Sequence, residues 1–189
     1  MPNILDGNAV AKELRAELKA RVEALKLEYI FPVLATIRVG EDPAAISYEN
    51  GLLRAANATG VIVRRYILPS DTEQADVAQL IREINADPLL SGLLVLRPLP
   101  DPYDEDALTA LIKPEKDVDC ANLHGQAHYT PCTAEACMEL LHRYGIPIEG
   151  IALYAGAHGQ GLQGQFAVLL AHLMVEWHAQ QQSAFLTTR

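Results

Sequence analysis

At 189 residues, half of them apolar, the chain has material for one cored domain and a small appendage. Its formal charge of -9, from 24 acidic against 15 basic residues with no Lys/Arg block, would repel a phosphate backbone and argues against nucleic-acid binding. No stretch approaches the ~20 apolar residues of a membrane span; the opening MPNILDGNAV lacks a secretory pattern, and three cysteines without an export signal fit reduced thiols, so a cytoplasmic location is expected.

Residues 6–28 read as an amphipathic helix, with Asp6 as N-cap and Val10, Leu14, Leu18, Val22 and Leu25 at steps of three or four. Pro32 opens an apolar run, Val33 to Val39, that reads as a buried strand ended by Gly40. Asp42-Pro43 starts a second helix, expected to reach about Ala58 and stop at Gly60. Val61 to Leu68 reads as a second strand and Ala75 to Ala86 as a third helix. Leu93 to Leu96 is a third strand, leading through Pro98-Leu99-Pro100 to a helix over about 104–112. The alternation implies an α/β fold: a parallel sheet with helices on both faces, binding ligands beyond the carboxyl ends of its strands. Residues 113–132 read as irregular. Thr133 is expected to cap a helix running to about Tyr144. Beyond it, 151–155 suggests a short strand, Gly156, Gly159, Gly161 and Gly164 a flexible connection, and 163–180 a last helix presenting Phe166, Leu169, Leu170, Leu173 and Trp177.

Four separated segments carry a resemblance. They are Ile4-Leu5-Asp6-Gly7; Val39-Gly40-Glu41-Asp42-Pro43-Ala44 leading to Tyr48; Gly92-Leu93-Leu94-Val95 with Pro98-Leu99-Pro100; and Pro114-Glu115-Lys116-Asp117-Val118-Asp119 followed by Pro131-Cys132-Thr133. In this order and spacing they resemble the folate-binding half of the methylenetetrahydrofolate dehydrogenase/cyclohydrolase family. The resemblance implies a three-layer folate domain over 1–150. Residues 151–189 would then be a Gly-rich connection and a closing C-terminal helix, without the family's complete NADP-binding Rossmann domain. The glycines at 156–164 match a dinucleotide-binding G-x-G-x-x-G poorly, and no NADP site is expected.

The same resemblance assigns substrate-binding positions. Asp119 corresponds to the carboxylate that takes the aminopyrimidine ring of tetrahydrofolate, and a carboxylate can accept two N–H bonds in parallel. Tyr48 corresponds to the tyrosine lining the cleft, and Pro98 belongs to the loop after the third strand. Two positions depart from the pattern. Leu52 stands where the family's Tyr-x-x-x-Lys has its lysine, with no lysine between Lys26 and Lys113, and Leu96 stands where the family has glutamine, beside Arg97. Arg54 stays protonated and is a poor proton shuttle. Cyclohydrolase chemistry is therefore expected to be lost or weak. His124 and His128 are the candidate acid–base residues, since a histidine titrates near neutrality. The spacing of Cys120, His124, His128 and Cys132 invites a zinc reading, but Gly125 and Pro131 break the single helix it needs, so no metal is assigned. Three readings stay open. The first is an enzyme passing the carbon of methylenetetrahydrofolate to an unidentified non-water acceptor. The second is a non-catalytic folate-binding or scaffold protein, with homo-oligomerisation left open, and the third is a residual cyclohydrolase.

Overall fold

The computed structural model describes residues 4–122 and 128–146. The elements are α1 (Gly7–Leu27), β1 (Val33–Val39), α2 (Pro43–Thr59), β2 (Ile62–Leu68), α3 (Gln74–Ala86), β3 (Gly92–Val95), α4 (Glu105–Thr109) and α5 (Cys132–Arg143). The three strands form one parallel sheet in the order β2-β1-β3. Val33 to Val39 pairs with Ile62 to Leu68, and Leu34 to Ile37 pairs with Gly92 to Val95. The α/β class and parallel sheet expected from the alternation are what the chain forms.

Both faces of the sheet are covered, and the two-residue period of the strands decides which side chain goes where. Ala35, Ile37 and Val39 of β1, with Leu93 and Val95 of β3, meet Val77, Ile81 and Ile84 of α3 and Leu108 and Ile112 beyond it. On the other face Leu94 and Leu96 are buried with Ala45 of α2, and Leu34, Leu52 and Val118 pack against them. Thr36 and Arg38 also point to this second face, where Glu49 of α2 is only 1% exposed. Arg65 donates to Glu49 through Nε and Nη2 at 3.0 and 2.9 Å, Arg38 through Nε at 3.1 Å, and Thr36 through its hydroxyl at 3.4 Å. The Arg65 bonds foremost, opposed by burial and helped by Arg38, hold the Glu49 carboxyl below its ordinary pKa.

Several expected boundaries shift, for local reasons. Helix α4 ends at Thr109 rather than near 112. Asn85 and Asn122 take the Leu111 and Ile112 carbonyls with their side-chain amides, and Pro114 disfavours helical geometry at Lys113. Helix α5 already includes Cys132, so Thr133 lies inside its first turn instead of capping it. On α1 only part of the anticipated apolar stripe is covered: Val10 and Val22 are buried, Leu14 and Leu18 exposed. Gly60 closes α2 as expected, in a left-handed conformation (φ 83°), with its N–H on the Ala56 carbonyl. A Cβ there would also meet Val22 and Lys26 of α1.

The chain separates into two compact units: Asn8–Pro131, which holds the sheet, and Met1–Gly7 with Cys132–Arg189. The second is described over residues 4–7 and 132–146, where α5 buries Ala134 and the Tyr144 hydroxyl accepts the Asp6 N–H at 2.9 Å. The expected boundary at 150, the strand at 151–155, the glycine connection and the last helix lie outside the described residues. Among the described residues, no helix is long and apolar enough to cross a membrane.

Candidate functional site

With β1 in the centre, the chain moves out to β2 and returns to β3 on the opposite side. Connections from β1 and β3 therefore leave in opposite directions, and a crevice opens beyond their carboxyl ends. A cavity of about 360 Å³ lies there. Ala44, Ala45 and Tyr48 from the start of α2 form one wall, Leu94 to Arg97 another, and Asp119 completes the lining. Asp42 sets the first wall: its carboxylate accepts the Ala45 N–H at 2.7 Å, and Pro43 follows in the first helical turn.

Charged residues cluster before residue 120, and the fold uses Lys116 and Asp117. Lys116, buried, donates to the Ile84 and Asp87 carbonyls at 2.6 Å each, and burial pushes its pKa down. Asp117, also buried, accepts the Ala121 and Asn122 N–H groups, each at 2.9 Å. The Leu93 N–H reaches the Lys116 carbonyl at 2.7 Å, so this segment lies alongside β3. The approach depends on Gly92, where a Cβ would lie 2.5 Å from a Val118 methyl. Asp119, half-buried, is the charged residue of the block that reaches the cavity. Cys120 follows with φ 52°, in the left-handed region that favours glycine, and its Sγ lies 3.0 Å from the Tyr129 carbonyl oxygen.

Of the residues singled out in the sequence, Tyr48, Leu96 and Asp119 line the same cavity. Leu52 sits behind it, packed against Ala45, Leu94 and Leu96. Pro98 is exposed and is not among the lining residues; it follows a cis peptide bond from Arg97. His128 is likewise exposed and off the lining, its ring edge-on to Tyr129 with centroids 4.8 Å apart. It is nonetheless tethered near the site, because Tyr129 binds back to Cys120 and, through its hydroxyl, to the Glu115 carbonyl at 3.1 Å. His124 lies outside the described residues. Among the described residues, no group of three or more His, Cys, Asp or Glu is arranged to hold a metal ion.

Two features escaped the sequence reading. Arg97, noted only as the neighbour of Leu96, lines the cavity and stands between Asp119 at 3.4 Å and Glu105 at 3.5 Å. Glu105 is itself fixed by the Leu99 N–H at 3.1 Å. The second is the Glu49 network directly behind Tyr48. Its signal was present in the arginines of two strands, Arg38 and Arg65, since a strand arginine facing a helix demands an acid there.

Comparison with known proteins matches residues 5–119 to the tetrahydrofolate dehydrogenase/cyclohydrolase catalytic domain. The bifunctional protein FolD of Moorella thermoacetica is 43% identical over 154 residues, 78% of this chain and 55% of that protein. The bifunctional methylenetetrahydrofolate dehydrogenase/cyclohydrolase structure from Campylobacter jejuni superposes with a TM-score of 0.71 at 33% identity, covering 76% of this chain and 54% of that one. The Trypanosoma brucei enzyme, solved with NADP and an inhibitor, gives 0.70 at 34% identity, covering 79% and 55%. The chain thus spans about half the length of the relatives it matches. On the match over residues 5–119, this chain belongs to the tetrahydrofolate dehydrogenase/cyclohydrolase family.

Proposed function

We propose that this chain binds tetrahydrofolate in its methylene form and passes the one-carbon unit to an acceptor other than water, without NADP-linked dehydrogenation. The observation that carries the reading is that Tyr48, Leu96 and Asp119, from three separated blocks of sequence, line one cavity. Asp119 would accept N–H bonds from the aminopyrimidine ring, and Tyr48 would offer an aromatic face. The fit is chemical: one carboxylate, one phenol and the Arg97 guanidinium stand at an otherwise apolar wall.

Leucines at 52 and 96 decide the direction of the chemistry. Each replaces a polar group that would hold or move a proton, and both belong to the apolar cluster behind the cavity. Such a floor disfavours an ordered attacking water and favours an apolar or aromatic acceptor. As the new bond to carbon forms, one carbon–nitrogen bond of the folate opens and its nitrogen keeps the electron pair. The second opens in the same sense, releasing tetrahydrofolate and leaving the carbon as a methylene doubly bonded to the acceptor. The two protons the acceptor loses pass through a base, which we assign to His124 or His128, to the two folate nitrogens. We read the three cysteine thiols as fitting a reducing cytoplasm.

The same leucines favour a second reading, a folate-binding protein without catalysis. Titration with tetrahydrofolate and, separately, NADP tests binding: saturable tetrahydrofolate binding is expected, and saturable NADP binding would count against the reading. The chemistry is tested by comparing the parent, Leu52→Lys and His124→Ala/His128→Ala proteins. Hydrolysis of methenyltetrahydrofolate should be negligible in the parent and rise in Leu52→Lys. A parent that hydrolyses it at a rate the lysine does not improve contradicts the dry-floor argument. Carbon transfer that survives loss of both histidines removes only their role. Binding with no transfer to any nucleophile supports the second reading.

A further inference from the structure

Arg97 and Asp119 present an unusual pair to the cavity. A carboxylate only accepts hydrogen bonds and a guanidinium only donates them, so the two together form an acceptor beside donors. The guanidinium is not locked into this pair. Its contacts to Asp119 and Glu105 are long, 3.4 and 3.5 Å, and its side chain is 42% exposed. Glu105, anchored by the Leu99 N–H, restrains Arg97 from the far side of the lining. Its five donors leave N–H groups to spare for a ligand atom beside Asp119.

We propose that Arg97 is a specificity-determining residue that reads an acceptor next to the donors taken by Asp119, selecting 4-oxo over 4-amino pteridines. This rests on the folate reading above. A 2-amino-4-oxo ring offers an amino group and a ring N–H as donors, then a carbonyl oxygen as acceptor, along one edge. That order complements a carboxylate followed by a guanidinium. A 2,4-diamino ring presents a second amino group where the carbonyl stood, donor against donor, and its ring nitrogen no longer carries the N–H that Asp119 accepts. The mismatch desolvates both groups without a bond, which is how a polar site rejects a near-isostere.

The test is equilibrium titration of the whole chain with tetrahydrofolate and with tetrahydroaminopterin, its 4-amino counterpart, repeated on Arg97→Met and Arg97→Lys. The parent should prefer the 4-oxo ligand by about tenfold or more, the scale of one charge-assisted hydrogen bond. Arg97→Met should lower the ratio several-fold, chiefly by weakening 4-oxo binding, and leave the part that Asp119 contributes through the ring N–H. Arg97→Lys should restore part of it, because the charge returns without the planar fork. Equal affinities in the parent, or a preference unchanged in Arg97→Met, would overturn the assignment while leaving folate binding intact. Failure of the parent to bind either ligand would overturn the folate reading and this inference with it.

Discussion

Where α2 crosses β1 and β2, Glu49 lies in a fully bonded setting of Arg38, Arg65 and Thr36. Where the same helix faces β3, Ala45 and Leu52 meet Leu94 and Leu96 in an apolar cluster. The two regions share a helix and one face of the sheet, yet one concentrates buried charge and the other excludes it. The difference follows from what each can satisfy. Two arginines on neighbouring strands surround the Glu49 carboxylate and compensate its desolvation. The charges on the β3 side of the cavity, Arg97 and Asp119, are both partly exposed, and a lysine or glutamine behind it would depend on them or on a ligand for its bonds. Structural charge and proposed binding surface are thus separated within a single layer.

Removing the charge at the centre of the first region should have the largest effect. Glu49→Ala leaves Arg38, 5% exposed, without its carboxylate, and is expected to cost roughly 3–5 kcal/mol in chemical denaturation. A loss below about 1 kcal/mol would mean that the Gly40 carbonyl, already bonded by Arg38, compensates by itself. The acid response has a definite sign. Because the folded carboxyl titrates below its unfolded value, the contribution is complete above the ordinary carboxylate range. It fades as pH falls through the lowered folded pKa. A folded Glu49→Gln protein should lose that part of the acid sensitivity, and an unchanged pH dependence would contradict the assignment.

The second region should respond in binding more than in stability. Asp119→Ala removes a half-buried side chain whose resolved ion pair is a long contact to Arg97, so the fold should change little. Tetrahydrofolate affinity should fall by about 1.5–3 kcal/mol if the carboxylate holds the ring. Unchanged affinity in a folded variant would remove Asp119 from the site and break the contrast drawn between the two regions.

Much of this was legible before any coordinates. The strand runs Val33–Val39, apolar apart from Thr36 and Arg38, and Leu93–Leu96 suited a doubly covered sheet, and the Asp42-Pro43 and Gly60 signals bounded α2 to within a residue or so. Tyr48, Leu96 and Asp119, which line the cavity, stood out because each sits in a motif block. Arg97 did not, because an arginine after a strand reads as a solvated end until a pairing partner 22 residues away is known. The Glu49 network was missed for a related reason: burial of a charge depends on partners from two separate strands, which no local pattern records. The extent of α4 depended on side-chain amides from distant Asn85 and Asn122, which helical periodicity does not register.

The smallest effect expected concerns the residue after Asp119. Cys120 adopts φ 52°, which costs a residue with a Cβ about 1–2 kcal/mol relative to a favourable conformation. Glycine, which has no Cβ, would relieve it. Opposing the gain are the extra unfolded-state freedom of glycine and the loss of the Sγ contact to the Tyr129 carbonyl. Cys120→Gly should therefore stabilise the chain by about 0.5–1 kcal/mol, read as a higher denaturation midpoint with an unchanged slope. The variant also sharpens the comparison between the two regions. If the turn alone aims Asp119, tetrahydrofolate affinity should be preserved within about twofold, less than half a kcal/mol. If affinity drops while stability rises, the contact between Cys120 and Tyr129 is holding the 128–129 segment close enough to matter for the ligand. That outcome would bring His128 nearer to the chemistry than its exposed position shows. If stability falls instead, the Sγ contact outweighs the backbone strain, and the left-handed turn is held by the cysteine rather than tolerated by it.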